Sequence, residues 1–443
     1  MKLIRNLFLT NRFFYGASLL IVAMILSYPF PFLLPFAKTG CILYALIIAI
    51  DLILLFNKTI NIEIKRKAPS VLSLGDSNTI TLSLLNRSGL KLSAELIDEL
   101  PEQLQIRNFT RKIELAPNII NEQTYSIQPL TRGEYIFGNV HLFVSSTIGL
   151  ISRRISNDQN TTLPVYPSII QMKKYEIKTF ARTATEYGVK KVRRIGHSYE
   201  FEHIKQYLRG DDYRSINWKA TSRRGHLMVN QYEDEKSQQV YCIVDKSRVM
   251  HMPFNGLSLF DYAVNASLVI SNIVLGKQDK AGLITFAETP KALVKAERGK
   301  FQLKKIMETL YKEKEGNVEA NYESMYMAVR KFVNGRCLLF LYTNFESVYA
   351  LHRVLPQLRK LNDQHLLVVI FFENTEITTH TSAHVETIED IYTQATAEHY
   401  TLTKIQLIQE LKQYGIMSIL TKPEHLTVSA INKYLELKSR GMI

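Results

Sequence analysis

The hydrophobic pattern changes its period twice along the chain. From Phe13 to Ala37 there is no charged side chain, and from Thr39 to Asn57 the only one is Asp51. Each run is about long enough to cross roughly 30 Å of hydrocarbon as a helix. Pro29, Pro31 and Pro35 are expected to end the first helix and form the turn, because proline lacks the backbone donor a helix interior needs. From Ile60 to about Val165 the period is two: "INIEI" alternates Ile60, Ile62 and Ile64 with polar partners, and "TITLSL" repeats this at Ile80, Leu82 and Leu84. With turn signals at Asn86-Arg87-Ser88-Gly89 and Arg132-Gly133, this predicts an all-β sandwich of about six or seven antiparallel strands. After Gln238 apolar runs ("VYCIVD", "AGLITF", "CLLFLYT", "LLVVIFF", "IMSIL") alternate with helical stretches near 258–275, 299–312, 321–334, 347–361, 389–413 and 424–438. That rhythm predicts a doubly wound α/β domain, with ligands at the carboxyl ends of its strands. Asp245, Thr285, Thr343 and Asn344 are then the candidate rim.

The expected organisation is multi-domain: a two-helix transmembrane hairpin (1–58), a β-sandwich (59–167), a basic segment (168–237) and the α/β domain (238–443). A cleaved secretory leader is the rival reading of the first run, but "SYPFPFLLPF" offers no small-residue cleavage site. Cations decide orientation: Lys2, Arg5 and Arg12 precede the first run, Lys58, Lys65, Arg66 and Lys67 follow the second, and only Lys38 lies between. Both termini and the soluble domains are expected on the cytoplasmic side of the cell membrane. Asp51 lies close enough to the end of its run to reach interfacial water or a partner.

Charge adds one feature. Lys and Arg outnumber Asp and Glu by 55 to 41, a net charge of +14, and the stretch Lys173 to Arg224 holds 14 basic against 6 acidic side chains. This segment should be drawn to anionic partners. Within it stands the only tryptophan, Trp218, in "YLRGDDYRSINWKATSRRG". Its ring is expected to pack beneath the stems of Arg214 and Lys219 as an anchor, with Asp211 and Asp212 orienting nearby arginines. Three scattered cysteines, Cys41, Cys242 and Cys337, form no disulfide framework and read as buried thiols. No loop carries a glycine-rich phosphate cradle, and His197 and His203 beside Glu200, Glu202 and Ser198 read as a surface cluster.

The passage from Glu200 to Met250 resembles the signature of the bacterial family catalogued as domain of unknown function 58. The matching residues are Tyr207, Gly210, Asp211, Arg214, Ile216, Trp218, Arg223 and Glu233, with Arg224 beside them. The resemblance implies two N-terminal spans, a β-sandwich and a von Willebrand A-like α/β domain. It also implies an interaction module without a reaction of its own, associated with AAA+ ATPases of the MoxR type. Von Willebrand A domains often bind a divalent ion through Asp-x-Ser-x-Ser, a Thr and a late Asp. Here these positions read Asp245, Ser247 and Val249, then Asn321 and Asn344. The lost carboxylate, with Lys246 and Arg248 nearby, opposes Mg²⁺, so no cofactor is expected beyond weak Mg²⁺ binding at a degenerate site.

The sequence thus points to a membrane-anchored protein-interaction adapter and not to an enzyme. Two rivals are a metal-dependent adhesion-type module and a nucleic-acid-binding membrane protein using 173–224; no nucleic-acid motif supports the second.

Overall fold

The computed structural model describes residues 5–57, 60–107, 109–176, 200–208, 211–233, 237–374, 377 and 387–443. The chain forms two compact units, Met1–Ser168 and Ile169–Ile443.

The first unit combines two apolar helices with three sheets. Helix α1 (Asn11–Leu26) has 16 residues, roughly 24 Å at the α-helical rise. A 3₁₀ turn at Pro31–Leu33 leads into α2 (Leu34–Phe56). Among the described residues, Pro31–Phe56 and Leu259–Gly276 are the two helical stretches long and apolar enough to cross a membrane; the latter is 72% buried within the second unit. The first apolar run therefore divides: α1 stops at Leu26 and Pro31 to Ala37 join the second helix.

Eleven strands are described in this unit. The five-stranded sheet runs β1 (Leu7–Leu9), β10 (Ile151–Asn157), β9 (Val140–Ser145), β5 (Leu92–Asp98), β6 (Thr110–Leu115). The three-stranded sheets are β2 (Ile62–Lys67), β4 (Asn78–Asn86), β7 (Ile120–Ile127), and β3 (Leu72–Ser73), β11 (Thr161–Tyr166), β8 (Gly133–Phe137). Alternation along β4 buries Ile80, Leu82 and Leu84 and turns Thr79, Thr81 and Ser83 outward, as a one-sided strand requires. A buried ion pair, Arg66 with Asp98, ties β2 to β5, and the Tyr125 hydroxyl donates to the same carboxylate.

Both helices are stitched to the β9–β10 turn. Thr10 donates from its backbone N–H to the Leu150 carbonyl (3.1 Å) and from its hydroxyl to the Gly149 carbonyl (2.7 Å). From α2, the fully buried Asp51 accepts the backbone N–H groups of Leu150 and Ile151, each at 2.9 Å, and the Ser146 hydroxyl. The lone charge in the apolar run thus has protein partners and does not stand at a water interface. Arg153 closes the helix end by donating to the Leu55 carbonyl at 3.0 Å, and Tyr44 bridges to the Phe13 carbonyl at 2.7 Å.

The second unit is built on a six-stranded sheet ordered β18 (Pro290–Glu297), β17 (Lys280–Phe286), β14 (Gln239–Asp245), β19 (Leu338–Tyr342), β20 (Leu366–Phe372), β21 (Met417–Thr421), with the short antiparallel pair β15 (Pro253–Phe254) and β16 (Leu257–Ser258) outside it. All neighbours are parallel except β18 against β17. The period of two along β14 divides its side chains. Val240, Cys242 and Val244 pack with α4 (Leu259–Gly276), α5 (Lys300–Lys312) and α9 (Leu426–Ser439). Tyr241 and Ile243 pack with α6 (Tyr322–Phe332), α7 (Val348–Gln364) and α8 (Ile388–Gln413). Helices therefore cover both faces, which is why the central strands read as unbroken apolar runs. Side-chain caps start four of these six helices: Ser258 with Asp261, Thr387 with Asp390, and Asn321 and Ser347 singly.

A separate antiparallel pair, β12 (Glu200–Gln206) and β13 (Met228–Glu233), carries at its tip the 3₁₀ turn Tyr213–Ser215 and the short helix α3 (Trp218–Arg224). This pair and the edge strand β18 have no counterpart in the sequence pattern above.

Candidate functional site

The chain order within the six-stranded sheet reverses at β14: β17 follows on one side, β19 later on the other. The carboxyl ends of β14 and β19 therefore flank a switch point, where open α/β sheets form crevices. A cavity of about 370 Å³ opens there, lined by Ser247, Arg248, Phe345, Tyr349, Arg353 and Val354 among others. Glu319 stands at its mouth 3.5 Å from the Arg248 guanidinium and 3.4 Å from that of Arg353.

Asp245, at the end of β14, is fully buried beneath this cavity's wall. It accepts the Ser247 backbone N–H at 2.9 Å and the Thr343 hydroxyl at 2.7 Å, with the Tyr322 hydroxyl at 3.4 Å. Burial raises its pKa, and these hydrogen bonds act in the opposite sense. The Ser247 hydroxyl is buried without a hydrogen-bond partner. Asn321 does not reach Asp245; its side chain caps α6 through the Ser324 N–H at 3.0 Å, and the adjacent Tyr322 takes the inward position. Thr285 accepts the Ala292 N–H at 3.2 Å and is likewise internal.

Asn344 shows why the edge takes the form it does. Its side-chain oxygen accepts the ammonium of Lys404, from α8, at 2.7 Å, and the same ammonium donates to the Phe345 carbonyl at 2.7 Å. Lys404 is buried, and desolvation lowers its pKa to about 8. An ammonium held at this edge repels a divalent ion, and the Asp245, Asn321 and Asn344 oxygens are already engaged. The donor set does not fit a divalent cation. Lys246, expected to add positive charge here, is paired with Glu313 at 2.6 Å. Among the described residues no group of three or more His, Cys, Asp or Glu could hold a metal ion.

Cysteine chemistry is also disfavoured. Burial pushes the Cys242 and Cys337 thiols up to about 12, so neither supplies thiolate at neutral pH. Cys41 is only partly buried, not buried as expected.

The basic signature forms the tip of the β12–β13 hairpin. Tyr207 donates its N–H to the Leu227 carbonyl at 2.8 Å, which closes the tip's base. Asp211 accepts Lys205 at 2.9 Å and the Leu208 N–H at 2.9 Å, and the Lys205 hydrogen bond holds its pKa below the usual carboxylate range. Asp212 accepts the Arg214 backbone N–H at 3.0 Å. Among the described residues the two carboxylates thus shape the turn and form no hydrogen bond with an arginine side chain. Asn217 caps α3 and reaches Asn230 at 2.8 Å, while Met228 and Val229 are buried. Gly210 lies outside the described residues, and Glu233 ends β13.

Trp218 is not an anchor. It opens α3 at 70% exposure, with Tyr213 at 69% and Leu208 at 64%. No residue of the seven-residue α3 is buried, so the helix offers no core into which the ring could fold. A Trp218→Ala variant is accordingly expected to change the unfolding free energy by less than about 0.5 kcal/mol, as measured by denaturant titration.

Sequence reasoning missed Tyr322, Thr343 as a partner of Asp245, and Lys404. No local signal marks Lys404, which lies on a different element from the groups it bonds.

The chain is 24% identical over 220 residues to "Uncharacterized protein YeaD" of Bacillus subtilis (strain 168), covering 48% of this chain and 53% of that protein. The chain thus spans about half the length of this curated relative. Among solved structures, the ASH/PapD-like domain of human CEP192 is 12% identical with a TM-score of 0.20, covering 25% of this chain and 90% of that one. The CARDB domain of a Pyrococcus furiosus protein is also 12% identical, with a TM-score of 0.16, covering 22% and 92%. Neither overlap bears on fold or function. Residues 203–385, from the hairpin through the switch-point cavity to beyond β20, match the model of the family described as "Protein of unknown function DUF58".

Proposed function

We propose that this protein is a membrane-anchored adapter that binds other proteins and performs no chemistry of its own. The N-terminal apolar helices hold it at the membrane as a two-span hairpin with the remainder on the cytoplasmic side. Residues 59–167 act as a β-sandwich spacer and 168–237 as a contact segment. Residues 238–443 form a von Willebrand A-like recognition domain. The family resemblance makes a MoxR-type AAA+ ATPase the expected partner, working with the adapter on client proteins.

One observation carries this reading: a cavity of about 370 Å³ opens at the strand switch point, and beneath it Asp245, Tyr322 and Thr343 are bonded to one another and Asn344 to Lys404, while the buried Ser247 hydroxyl has neither a base nor any other hydrogen-bond partner among the described residues. Such a site recognises without activating anything. Tyr349, 86% exposed at the mouth, and Arg353 are residue types that dominate binding hot spots.

The test is capture of a co-encoded AAA+ ATPase by the full chain in detergent. Tyr349→Ala combined with Arg353→Glu is expected to reduce capture on the order of tenfold or more, the effect of losing a hot spot. Undiminished capture by this folded variant would remove the cavity from the docking surface.

A further inference from the structure

The hairpin tip has a composition that the adapter reading does not use. From Tyr213 to Arg224 there are four basic side chains, Arg214, Lys219, Arg223 and Arg224, and no acidic one. Trp218 and Tyr213 stand among them largely exposed, and the aliphatic side chains of Leu208 and Leu227 are also exposed at the tip's base. Exposed large apolar side chains gathered at one end of a hairpin mark a contact surface. Asp211 and Asp212 also lie in the tip, the first paired with Lys205, but the four cations outnumber them, so the surface is net positive and the partner is anionic.

Three anionic surfaces differ in what they ask of such a tip. Nucleic acid uses cations and aromatic faces but has no place for two leucines. An acidic protein would need its own apolar pocket beside the acids. A bilayer with anionic lipid meets every component at once. Trp and Tyr settle at the headgroup level, aliphatic side chains enter the acyl boundary, and Lys and Arg lie against the phosphates. The same chain carries Pro31–Phe56, an apolar helix of membrane-crossing length, which raises the tip's effective concentration at a bilayer.

We propose that the tip of the β12–β13 hairpin is a contact for an anionic bilayer surface, with Trp218 and Tyr213 seated among the headgroups and Arg214, Lys219, Arg223 and Arg224 facing the lipid phosphates. This inference rests on the anchored reading above only for its local concentration. The fold supports the contact by closing the tip's base through the Tyr207 to Leu227 hydrogen bond and by capping α3 at Asn217. The rings are thus presented on an ordered turn and lose little freedom on binding.

Trp218 is the only tryptophan in the chain, so its emission reports this tip with no added label. The full chain is reconstituted in nanodiscs of phosphatidylcholine, with or without phosphatidylglycerol, each doped with a lipid carrying a quencher on its acyl chain. The expected result is a blue shift and quenching of Trp218 in anionic discs. Both should be reversed at about 1 M salt, where the screening length falls to roughly 3 Å, and lost in Arg223→Glu/Arg224→Glu. Emission that lipid quenchers do not touch and acrylamide does would overturn the proposal. So would quenching equal in neutral discs and indifferent to salt, and so would a blue shift that appears only when the soluble ATPase is added. The anchor is tested separately, by alkaline carbonate extraction of native membranes. Release of the chain there, with Trp218 still quenched by added anionic vesicles, would sink the anchor and leave this inference standing.

Discussion

Replacing Asp51 by leucine will destabilise the N-terminal unit by about 3 kcal/mol or more, although it makes an apolar helix more apolar. The carboxylate accepts two backbone N–H groups and one hydroxyl from the β9–β10 turn. Each buried donor left without a partner costs about 1–3 kcal/mol. An Asp51 facing lipid would give the opposite sign, because on insertion scales Asp costs roughly 3 kcal/mol at mid-bilayer and Leu is favourable by about 0.5. Denaturant unfolding of the detergent-solubilised protein reads the sign directly. Asp51→Asn, which keeps one acceptor oxygen, is expected to fall between the two, and limited proteolysis at 145–151 should accelerate in the same order. A leucine variant at least as stable as the parent would show that the helix does not depend on the turn.

The second large effect is a pH dependence centred on Lys404. Its folded-state pKa, about 8, lies below the ordinary lysine value, so between pH 8 and 10.5 the unfolded chain binds more protons than the folded one. Stability contributed by this group therefore rises with pH across that window, by about 2 kcal/mol between pH 7.5 and 9.5. Cys242 and Cys337 act with the opposite sign, since burial raises their pKa and the unfolded thiols ionise first. The informative quantity is the difference between the parent and Lys404→Met, from which the cysteine contribution cancels. The parent should gain stability relative to the variant as pH rises, measured by chemical unfolding of the full chain at several pH values. Parallel curves would mean that the ammonium at Asn344 and Phe345 is not desolvated in solution.

Part of this protein is legible from order along the chain. The five apolar runs after Gln238 and the six helical stretches coincide with β14, β17, β19, β20 and β21 and with α4 to α9, within a few residues at each end. The reason is physical: a strand buried on both faces needs an unbroken apolar run, and a helix covering it needs an apolar stripe, with a capping side chain marking the start of four of the six. Edge elements gave less signal. The strand β18 is "PKALVKAE", whose exposed positions carry lysine and glutamate, and the N-terminal sheet strand β1 has only three residues. In the first unit the alternation marked strands but not their number, because short pieces such as Leu72–Ser73 are held by neighbours and not by a pattern of their own.

What the sequence determined by itself is therefore the division into an apolar N-terminal part, a region of period two and an alternating α/β region, together with a basic signature containing one tryptophan. Each follows from local composition. Tertiary structure alone decided where the charges in question ended. Asp51 found a turn about a hundred residues away, and Asn344 found Lys404 sixty residues on. Trp218 was left outside because the helix that carries it buries nothing. Burial and pairing of polar groups depend on what the fold brings alongside, and desolvation makes those pairings decisive.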